Sequence, residues 1–299
     1  MDKIKELEKK VQESSGDEKL TNLNDLAFAL YVSDPEKTEY YAQEALEHAI
    51  RLNSKPDIAR SYNIIGISYH SRGNYDEALK YYHKALNIFR QLKMTHKIAG
   101  TKNNIGGIYE KMGNYKNALE YYLRALRVWD QAGDKAYVAA CYNNIGIIYE
   151  KQGSYDEALN YHFKSLQIKE EIGTERDIAI SLNNIGIVYE RQDKHDLALE
   201  YLLKALDIKE KSDDKHSVAV SYVNIGNIYV EKDEQDLALS YFNKSNKLFN
   251  EIKDPFGDVT SLTSLGILLT RKKDFQQAFE HLKKALDVAR SIKSKRFRT

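Results

Sequence analysis

The sequence predicts an all-α protein made of stacked antiparallel helix pairs, and three observations lead to this fold class. A set of small and aromatic residues recurs every 40 residues along most of the 299-residue chain. Within each copy, apolar residues follow the three- and four-residue spacing of an amphipathic helix twice, with a turn between the two segments. The chain contains only 3 prolines and 15 glycines, as expected for mostly helical structure. Because one helix pair cannot bury its apolar face alone, we expect one continuous solenoid domain.

The 40-residue period is visible in four columns of equivalent residues. A glycine column is followed three residues later by a tyrosine in five of six copies, and twelve and nineteen residues later by small residues. We expect the small residues to lie where the two helices of a pair approach closely, since a larger side chain would force them apart. The glycine column is Gly66, Gly106, Gly146, Gly186, Gly226 and Gly266, and the first small-residue column is Ala78, Ala118, Ala158, Ala198, Ala238 and Ala278.

The period also predicts the boundaries along the chain. Residues 1–16 are expected to form an N-terminal capping helix, and residues 17–58 a degenerate first copy with Leu26 in the glycine column. The six regular copies are predicted at residues 59–98, 99–138, 139–178, 179–218, 219–258 and 259–299. The last copy ends in the basic segment RSIKSKRFRT rather than a polar helical cap, which leaves open that the natural polypeptide continues beyond Thr299.

The turn between the two helices of a copy has its own signals. In the fourth copy, Gly153 is expected to end the first helix in a left-handed conformation, and Ser154 to cap the second helix. Asp193 and Asp233 replace the turn glycine in two later copies, and aspartate tolerates left-handed geometry.

These columns resemble the tetratricopeptide repeat family over nearly the whole chain. The resemblance is carried by YNIIGISYHSRGNYDEALKYYHKAL, KNNIGGIYEKMGNYKNALEYYLRAL and YNNIGIIYEKQGSYDEALNYHFKSL. The 40-residue form is similar to the repeats of kinesin light chains, of LGN-type polarity adaptors and of bacterial regulators with tetratricopeptide input domains. The resemblance implies a right-handed α-α superhelix whose first helices form a concave, peptide-binding surface with ladders of asparagine.

Composition and charge restrict the class of protein. Lys and Arg number 45 against 44 Asp and Glu, so the formal net charge is +1 and we expect neither nucleic acid nor a membrane as partner. No run of 18 or more apolar residues predicts a transmembrane helix. A single cysteine, Cys141, is typical of a reducing compartment, so we expect a cytoplasmic protein.

No catalytic arrangement is recognisable, and we expect no enzyme, no cofactor and no metal site. The chain has neither a GxxxxGK[ST] phosphate loop nor an HExxH motif. Its eight histidines fall in different repeat columns, so nothing gathers them at metal-ligand spacing. Carboxylate pairs such as Asp76–Glu77 come in the first turn of a second helix, where they complement the helix dipole.

Two columns of asparagine on the first helices are the candidate binding residues. Asparagine is unfavourable within a helix because its amide competes for backbone hydrogen bonds. Each amide offers a donor and an acceptor, which suits the backbone of an extended peptide in a groove. The alternative is that one column only bonds to the backbone of the neighbouring repeat. The first asparagine column is Asn63, Asn103, Asn143 and Asn183, and the second asparagine column is Asn104, Asn144, Asn184 and Asn224.

Neighbouring columns complete the candidate site. An isoleucine column, expected to form apolar pockets, includes Ile147, Ile187 and, in a later copy, Asn227. Charged residues expected to set charge preference are Glu150, Glu190, Lys151 and Arg191. On the second helices, a basic column is expected to form solvent-side ion pairs with glutamates four residues earlier, and Trp129 to pack between repeats. The basic column is Lys84, Arg124, Lys164, Lys204, Lys244 and Lys284.

The sequence thus predicts a protein-interaction module that binds an extended peptide or partner segment in its concave groove. The alternative is the N-terminal regulatory region of a larger signalling protein of the histidine kinase or nucleotide cyclase type. The expected partner is a protein or peptide, and an unfinished solenoid end could also stack on a second copy of the chain.

Overall fold

The computed structural model describes residues 2–173 and 175–296, and in these ranges the chain forms fifteen α-helices and no strand. This confirms the all-α prediction. None of the described helices combines the length and the apolarity that crossing a lipid bilayer requires. The predicted basic end reaches beyond Arg296, and its last three residues lie outside the described part of the chain.

The helices fall into two compact units, Met1–Gln152 and Gly153–Thr299, and each is described by itself. Unit 1 contains α1 Asp2–Glu13, α2 Gly16–Leu30, α3 Pro35–Arg51, α4 Lys55–Ser71, α5 Tyr75–Gln91, α6 Thr95–Lys111, α7 Tyr115–Gln131 and α8 Lys135–Lys151. Unit 2 contains α9 Tyr155–Ile172, α10 Glu175–Arg191, α11 His195–Glu210, α12 Lys215–Glu231, α13 Gln235–Glu251, α14 Pro255–Arg271 and α15 Phe275–Arg296. Each even-numbered helix from α2 to α14 is the first helix of a copy.

Within each unit, a helix packs on its partner in the pair and on the next pair along the chain. In unit 1, α4 packs against α5, α5 against α6, and the first helices α2, α4 and α6 also touch in that order. In unit 2, α12 packs against α13, and α12 also contacts α14. The first helices of successive copies are therefore neighbours, and equivalent side chains on them follow one another along one face.

A left-handed residue ends the first helix of each regular pair, as expected. The φ angle is 77° at Gly153, 58° at Asp193 and 60° at Asp233, and Lys273 adopts 62° at the same position. The expectation for Ser154 is wrong, because its side chain makes no capping hydrogen bond. The backbone angles do not explain this difference, because Asn114 has nearly the same φ and ψ and its longer side chain accepts a hydrogen bond from the Asn117 N–H.

The glycine column lies where the sequence places it, between the two helices of a pair. A Cβ added to Gly66 would lie 2.7 Å from the Tyr82 ring, and one added to Gly226 would lie 2.5 Å from the Phe242 ring. Gly186 meets Leu202 in the same way, at 2.7 Å. The absence of a side chain at this column therefore lets a large residue of the second helix lie flat on the first helix.

In the degenerate first pair, the large residue lies on the first helix and the small residue on the second. Leu26 stands in the glycine column and is fully buried, while Ala42 stands in the column of Tyr82 and is also fully buried. The large and the small residue have exchanged columns. Ahead of this pair, α1 contributes Leu7 and Val11 to a buried cluster that includes Leu23, so the N-terminal helix covers the apolar face of the first pair.

One member of the large-residue column is polar. His162 is fully buried, and neither ring nitrogen has a hydrogen-bond partner. Burial, together with the smaller effect of the positive charge of Lys169, lowers the pKa of His162 to about 4. The ring is therefore held neutral inside the fold, and protonation must weaken the folded state.

Replacing Gly226 by alanine should destabilise the protein. The added methyl group would overlap the Phe242 ring, and overpacking of this kind costs about 1–3 kcal/mol, more than the gain from better helix propensity. Gly100 is the matched control, because a Cβ there meets nothing within 4 Å and Gly100→Ala should stabilise α6 by about 0.5–1 kcal/mol. Thermal unfolding followed by circular dichroism measures both changes, and equal shifts for the two variants would contradict the packing assignment.

The folded protein should lose stability in mild acid because of His162. Its pKa is about 4 when folded against 6.5 when unfolded, so below pH 6.5 the unfolded chain binds more protons. At pH 5 this difference costs about 2 kcal/mol. His162→Leu, which copies Leu202 of the same column, should remove this loss between pH 7.5 and pH 5 in urea denaturation. His96→Leu, at an exposed ring, serves as the control, and the same acid sensitivity in both variants would refute the role of His162.

Candidate ligand-binding groove

A cleft of about 1120 Å³ opens on unit 1 and is lined mainly by first helices. Asn63 and Ile67 of α4 reach it, as do Asn103 and Asn104 of α6. The structure therefore brings three predicted asparagines together at one concave surface, which we call the unit-1 cleft. A second cavity, of about 410 Å³, lies in unit 2 beside the turn that follows α11, and none of the predicted site residues lines it.

The first asparagine column is largely engaged within the protein. Asn63 Oδ1 accepts a hydrogen bond from Thr101 Oγ1 at 3.3 Å. Asn103 Oδ1 accepts one from Asn144 Nδ2 at 3.2 Å and lies 4.0 Å from Cys141 Sγ. The bonds of Asn63 and Asn103 therefore go to side chains of the next copy and not to its backbone.

Asn183 and Asn143 complete the first column. Asn183 Oδ1 accepts a hydrogen bond from Lys209 Nζ at 3.2 Å, and Asn143 is half-buried on α8. Three members of this column thus act as acceptors that connect helices.

The second asparagine column is more available. All four members are half-buried, and Asn144 uses its amide N–H to reach Asn103. Among the residues that the structure describes, the side-chain amides of Asn104 and Asn224 have no hydrogen-bond partner. Their amides lie on the first helices α6 and α12 with both donor and acceptor open to a ligand.

The isoleucine column forms an apolar strip that is replaced by a polar residue in a later copy. Ile67, Ile147 and Ile187 are half-buried, whereas Asn227 is exposed. Gly107 interrupts the strip in α6. A Cβ placed there would lie 3.6 Å from the Tyr122 hydroxyl and 3.7 Å from the His70 ring, so these two groups flank the gap.

The charged columns pair from one copy to the next. Lys151 Nζ lies 2.8 Å from Glu110 Oε1, and Glu110 also accepts a hydrogen bond from the Tyr122 hydroxyl at 3.1 Å. Glu150 and Glu190 are half-buried, and Arg191 is exposed. Where pairing occurs, as for Lys151, the charge is already partly compensated within the protein.

Two lysines, the buried Lys169 and the half-buried Lys209, were missed by sequence analysis. Lys169 and Lys209 stand in the column that holds Trp129 in an earlier copy. Lys169 Nζ donates to Ser181 Oγ at 3.0 Å, and Lys209 Nζ donates to Ser221 Oγ at 2.7 Å. Burial lowers the pKa of both amines, against the opposing effect of a nearby aspartate. A lysine in a column that holds Phe89, Trp129 and Phe249 in other copies was the available signal.

The basic column on the second helices lies over tyrosine rings. Lys204 forms the expected ion pair with Glu200 at 2.7 Å, and Arg124 pairs with Glu120. In addition, Lys204 Nζ lies 5.3 Å from the centre of the Tyr201 ring, which is a cation–π contact. The same contact recurs for Lys84 on Tyr81, Arg124 on Tyr121, Lys164 on Tyr161 and Lys244 on Tyr241.

The remaining chemically reactive groups do not form a site. Cys141 is buried, and burial raises the pKa of its thiol to about 12, so little thiolate is present near neutral pH. Within the described residues, no three His, Cys, Asp or Glu side chains are grouped as a metal site would require. Trp129 is 3% exposed and packs as expected, with its ring stacked on Tyr137 at 4.6 Å.

Comparison with known families now decides the family. One tetratricopeptide repeat model matches residues 11–91, 97–171 and 177–251, and another matches residues 259–292. The chain belongs to the tetratricopeptide repeat family. It is accordingly a protein-interaction module of a family that is generally non-catalytic. No curated protein sequence matches the chain.

Solved structures support the same fold for this tetratricopeptide protein. BtubC (BKLC) from P. vanneervenii is 19% identical, with a TM-score of 0.65 over 74% of this chain and 93% of that one. The apo form of RapI is 18% identical, with a TM-score of 0.69 over 92% and 99%. A Rap protein complexed with competence and sporulation factor is 15% identical, with a TM-score of 0.73 over 98% and 80%. The predicted tetratricopeptide solenoid is therefore confirmed, and the narrower resemblance to kinesin light chains stays a prediction.

The two asparagine columns should respond differently to substitution. Asn103→Ala removes the acceptor of Asn144 and should lower the free energy of unfolding by about 1 kcal/mol. Asn104→Ala removes no internal bond, and because alanine is the better helix former, it should leave stability unchanged or raise it by about 0.5 kcal/mol. Urea denaturation distinguishes these outcomes, and equal losses for both variants would show that the second column is structural too.

Proposed function

We propose that this tetratricopeptide protein binds an extended segment of a partner protein along its first helices. The observation that carries this proposal is the unit-1 cleft, which is lined both by the unpaired amide of Asn104 and by apolar Ile67. Such a surface offers hydrogen bonds to a peptide backbone and apolar contact to its side chains.

The two asparagine columns have separate roles in this proposal. The first column holds successive helices in place, so the surface is largely formed before the partner arrives. A preformed surface loses little conformational freedom on binding, which favours affinity. The second column, represented by Asn104 and Asn224, supplies the donors and acceptors that meet the peptide backbone.

The comparisons support a protein or peptide as partner. The Rap structure is a complex with competence and sporulation factor, and a Cut9–Hcn1 hetero-tetramer has a related fold, at 18% identity and a TM-score of 0.66 over 96% of this chain and 49% of that one. The alternative, a regulatory region of a signalling enzyme, is favoured by no observation on the described residues. End-to-end self-association stays a further proposal.

Alanine substitution of the second column tests the proposal. Twelve-residue peptides selected from a random display library on the full chain serve as probes. Asn104→Ala should weaken peptides held by unit 1, and Asn224→Ala those held by unit 2, in each case about tenfold, which corresponds to about 1.4 kcal/mol of lost hydrogen bonding. Isothermal titration calorimetry measures the affinity.

The matched control is the pair Asn87→Ala and Asn160→Ala, which removes one exposed asparagine from a second helix in each unit. This control should leave the affinity unchanged. If no selected peptide loses affinity in either second-column variant, the first helices are not the binding surface.

A further inference from the structure

The unit-1 cleft is one-sided in charge. Its lining includes the cationic residues Arg60, Arg72, Lys97 and Lys111, and among the described residues that line it there is no aspartate or glutamate. The chain as a whole is nearly neutral. The positive charge is therefore a local property of this cleft, and a complementary ligand is anionic.

Of these four cations, the two arginines are paired with carboxylates and the two lysines are not. Arg60 lies 2.5 Å from Asp25 and Arg72 pairs with Glu39, so both arginines have carboxylate partners. Lys97 and Lys111, both on α6, are exposed and have no carboxylate partner in the part of the chain that the structure describes.

A buried hydroxyl on the cleft wall also lacks a partner. Tyr82 is fully buried and lines the cleft, and its hydroxyl makes no hydrogen bond. The equivalent Tyr122 donates to Glu110, twelve residues earlier. The position equivalent to Glu110 holds His70 in the copy of Tyr82, so the acceptor is missing there.

An unsatisfied buried donor is costly, and a ligand that supplies an acceptor regains that cost. Burial raises the pKa of Tyr82, which keeps the hydroxyl protonated and able to donate. Burial and the positive charge of Lys111 lower the pKa of His70, so this ring carries no negative charge and is held neutral. The Tyr82 hydroxyl makes no hydrogen bond to it, so His70 does not take the place of the carboxylate. The empty acceptor position and the two free lysines belong to the same cleft.

Aromatic pairs from the helices on either side of α4 and α6 also line the cleft. Phe28 and Tyr31 stack at 5.4 Å, and Phe28 is 51% exposed. Trp129 and Tyr137 stack at 4.6 Å, and Tyr137 is 51% exposed. Exposed rings inside a concave surface are typical anchor points for apolar ligand side chains.

We infer that the unit-1 cleft selects a peptide segment with an acidic side chain between two apolar or aromatic anchors. The ligand carboxylate accepts a hydrogen bond from the Tyr82 hydroxyl in the part of the cleft that His70 and Lys111 line. Lys97 lies fourteen residues before Lys111, about 21 Å away along α6, and adds positive charge further along the same cleft. The flanking side chains pack on the two aromatic pairs. This specificity rests on the proposed function, since it concerns the ligand of the same groove.

The test uses the full chain and twelve-residue peptides selected from a random display library. The selected peptides are synthesised with acetylated and amidated ends, so that any carboxylate belongs to a side chain. We expect them to be enriched in Asp and Glu with apolar residues on both sides. Lys97→Gln combined with Lys111→Gln should weaken binding about tenfold, and raising the salt should weaken the wild-type complex more than that of the variant.

Tyr82→Phe tests the hydroxyl separately. It should weaken acidic peptides about threefold to tenfold without affecting versions in which Asp and Glu are replaced by Asn and Gln. The variant should fold, because Phe242 occupies the same column. The charge-matched control is Lys116→Gln with Lys247→Gln, two exposed lysines on second helices outside the cleft, which should leave the affinity unchanged.

Each other outcome overturns the inference. Selected peptides without acidic enrichment, or with affinities insensitive to the lysine and tyrosine variants, refute it. If such peptides are still weakened by Asn104→Ala or Asn224→Ala, the proposed groove function stands and only the acidic specificity fails. If binding requires a free peptide C-terminus, the carboxylate is not a side chain and the assignment is wrong. A selection that yields no binding peptide refutes both proposals.

Discussion

The close approach of two helices at a glycine is the constraint on which the rest of the structure depends. At Gly66 and Gly226 a large ring of the second helix lies where a Cβ would be. This contact fixes the spacing within each pair, and its repetition at a 40-residue interval fixes the spacing between pairs. Equivalent residues of neighbouring first helices are consequently presented side by side, which is how isolated polar residues become columns.

Columns of the same residue type nevertheless serve different purposes. In the first asparagine column, the side chains of Asn63 and Asn103 are acceptors for the next copy, so they belong to the framework. One position further along the helix, Asn104 has turned by about 100° and meets no described partner. In α6, a shift of one residue thus separates a side chain that is bonded within the protein from one that has no described partner.

Departures from the repeat carry much of the chemistry. Lys209 stands in the column of Trp129 and bonds to Ser221 and Asn183. His162 stands in the column of Tyr82 and Leu202, and burial holds its ring neutral by lowering its pKa. In unit 1, His70 stands where a glutamate would satisfy a tyrosine hydroxyl. At these positions the residue type departs from the repeat pattern and packing does not explain it. Such departures are expected at functional sites.

The sequence by itself determined the helix pairs, the left-handed turns and the glycine contacts, because these follow from local spacing and from the size of one side chain. It also placed the asparagines on the first helices. Only the tertiary structure decided that Asn103 is bonded within the protein, that Asn104 has no described partner, and that Tyr82 lacks the acceptor available to Tyr122. Such differences arise from side chains that are distant in sequence and meet only after the helices pack. A repeat pattern treats equivalent positions alike, so it cannot predict these differences.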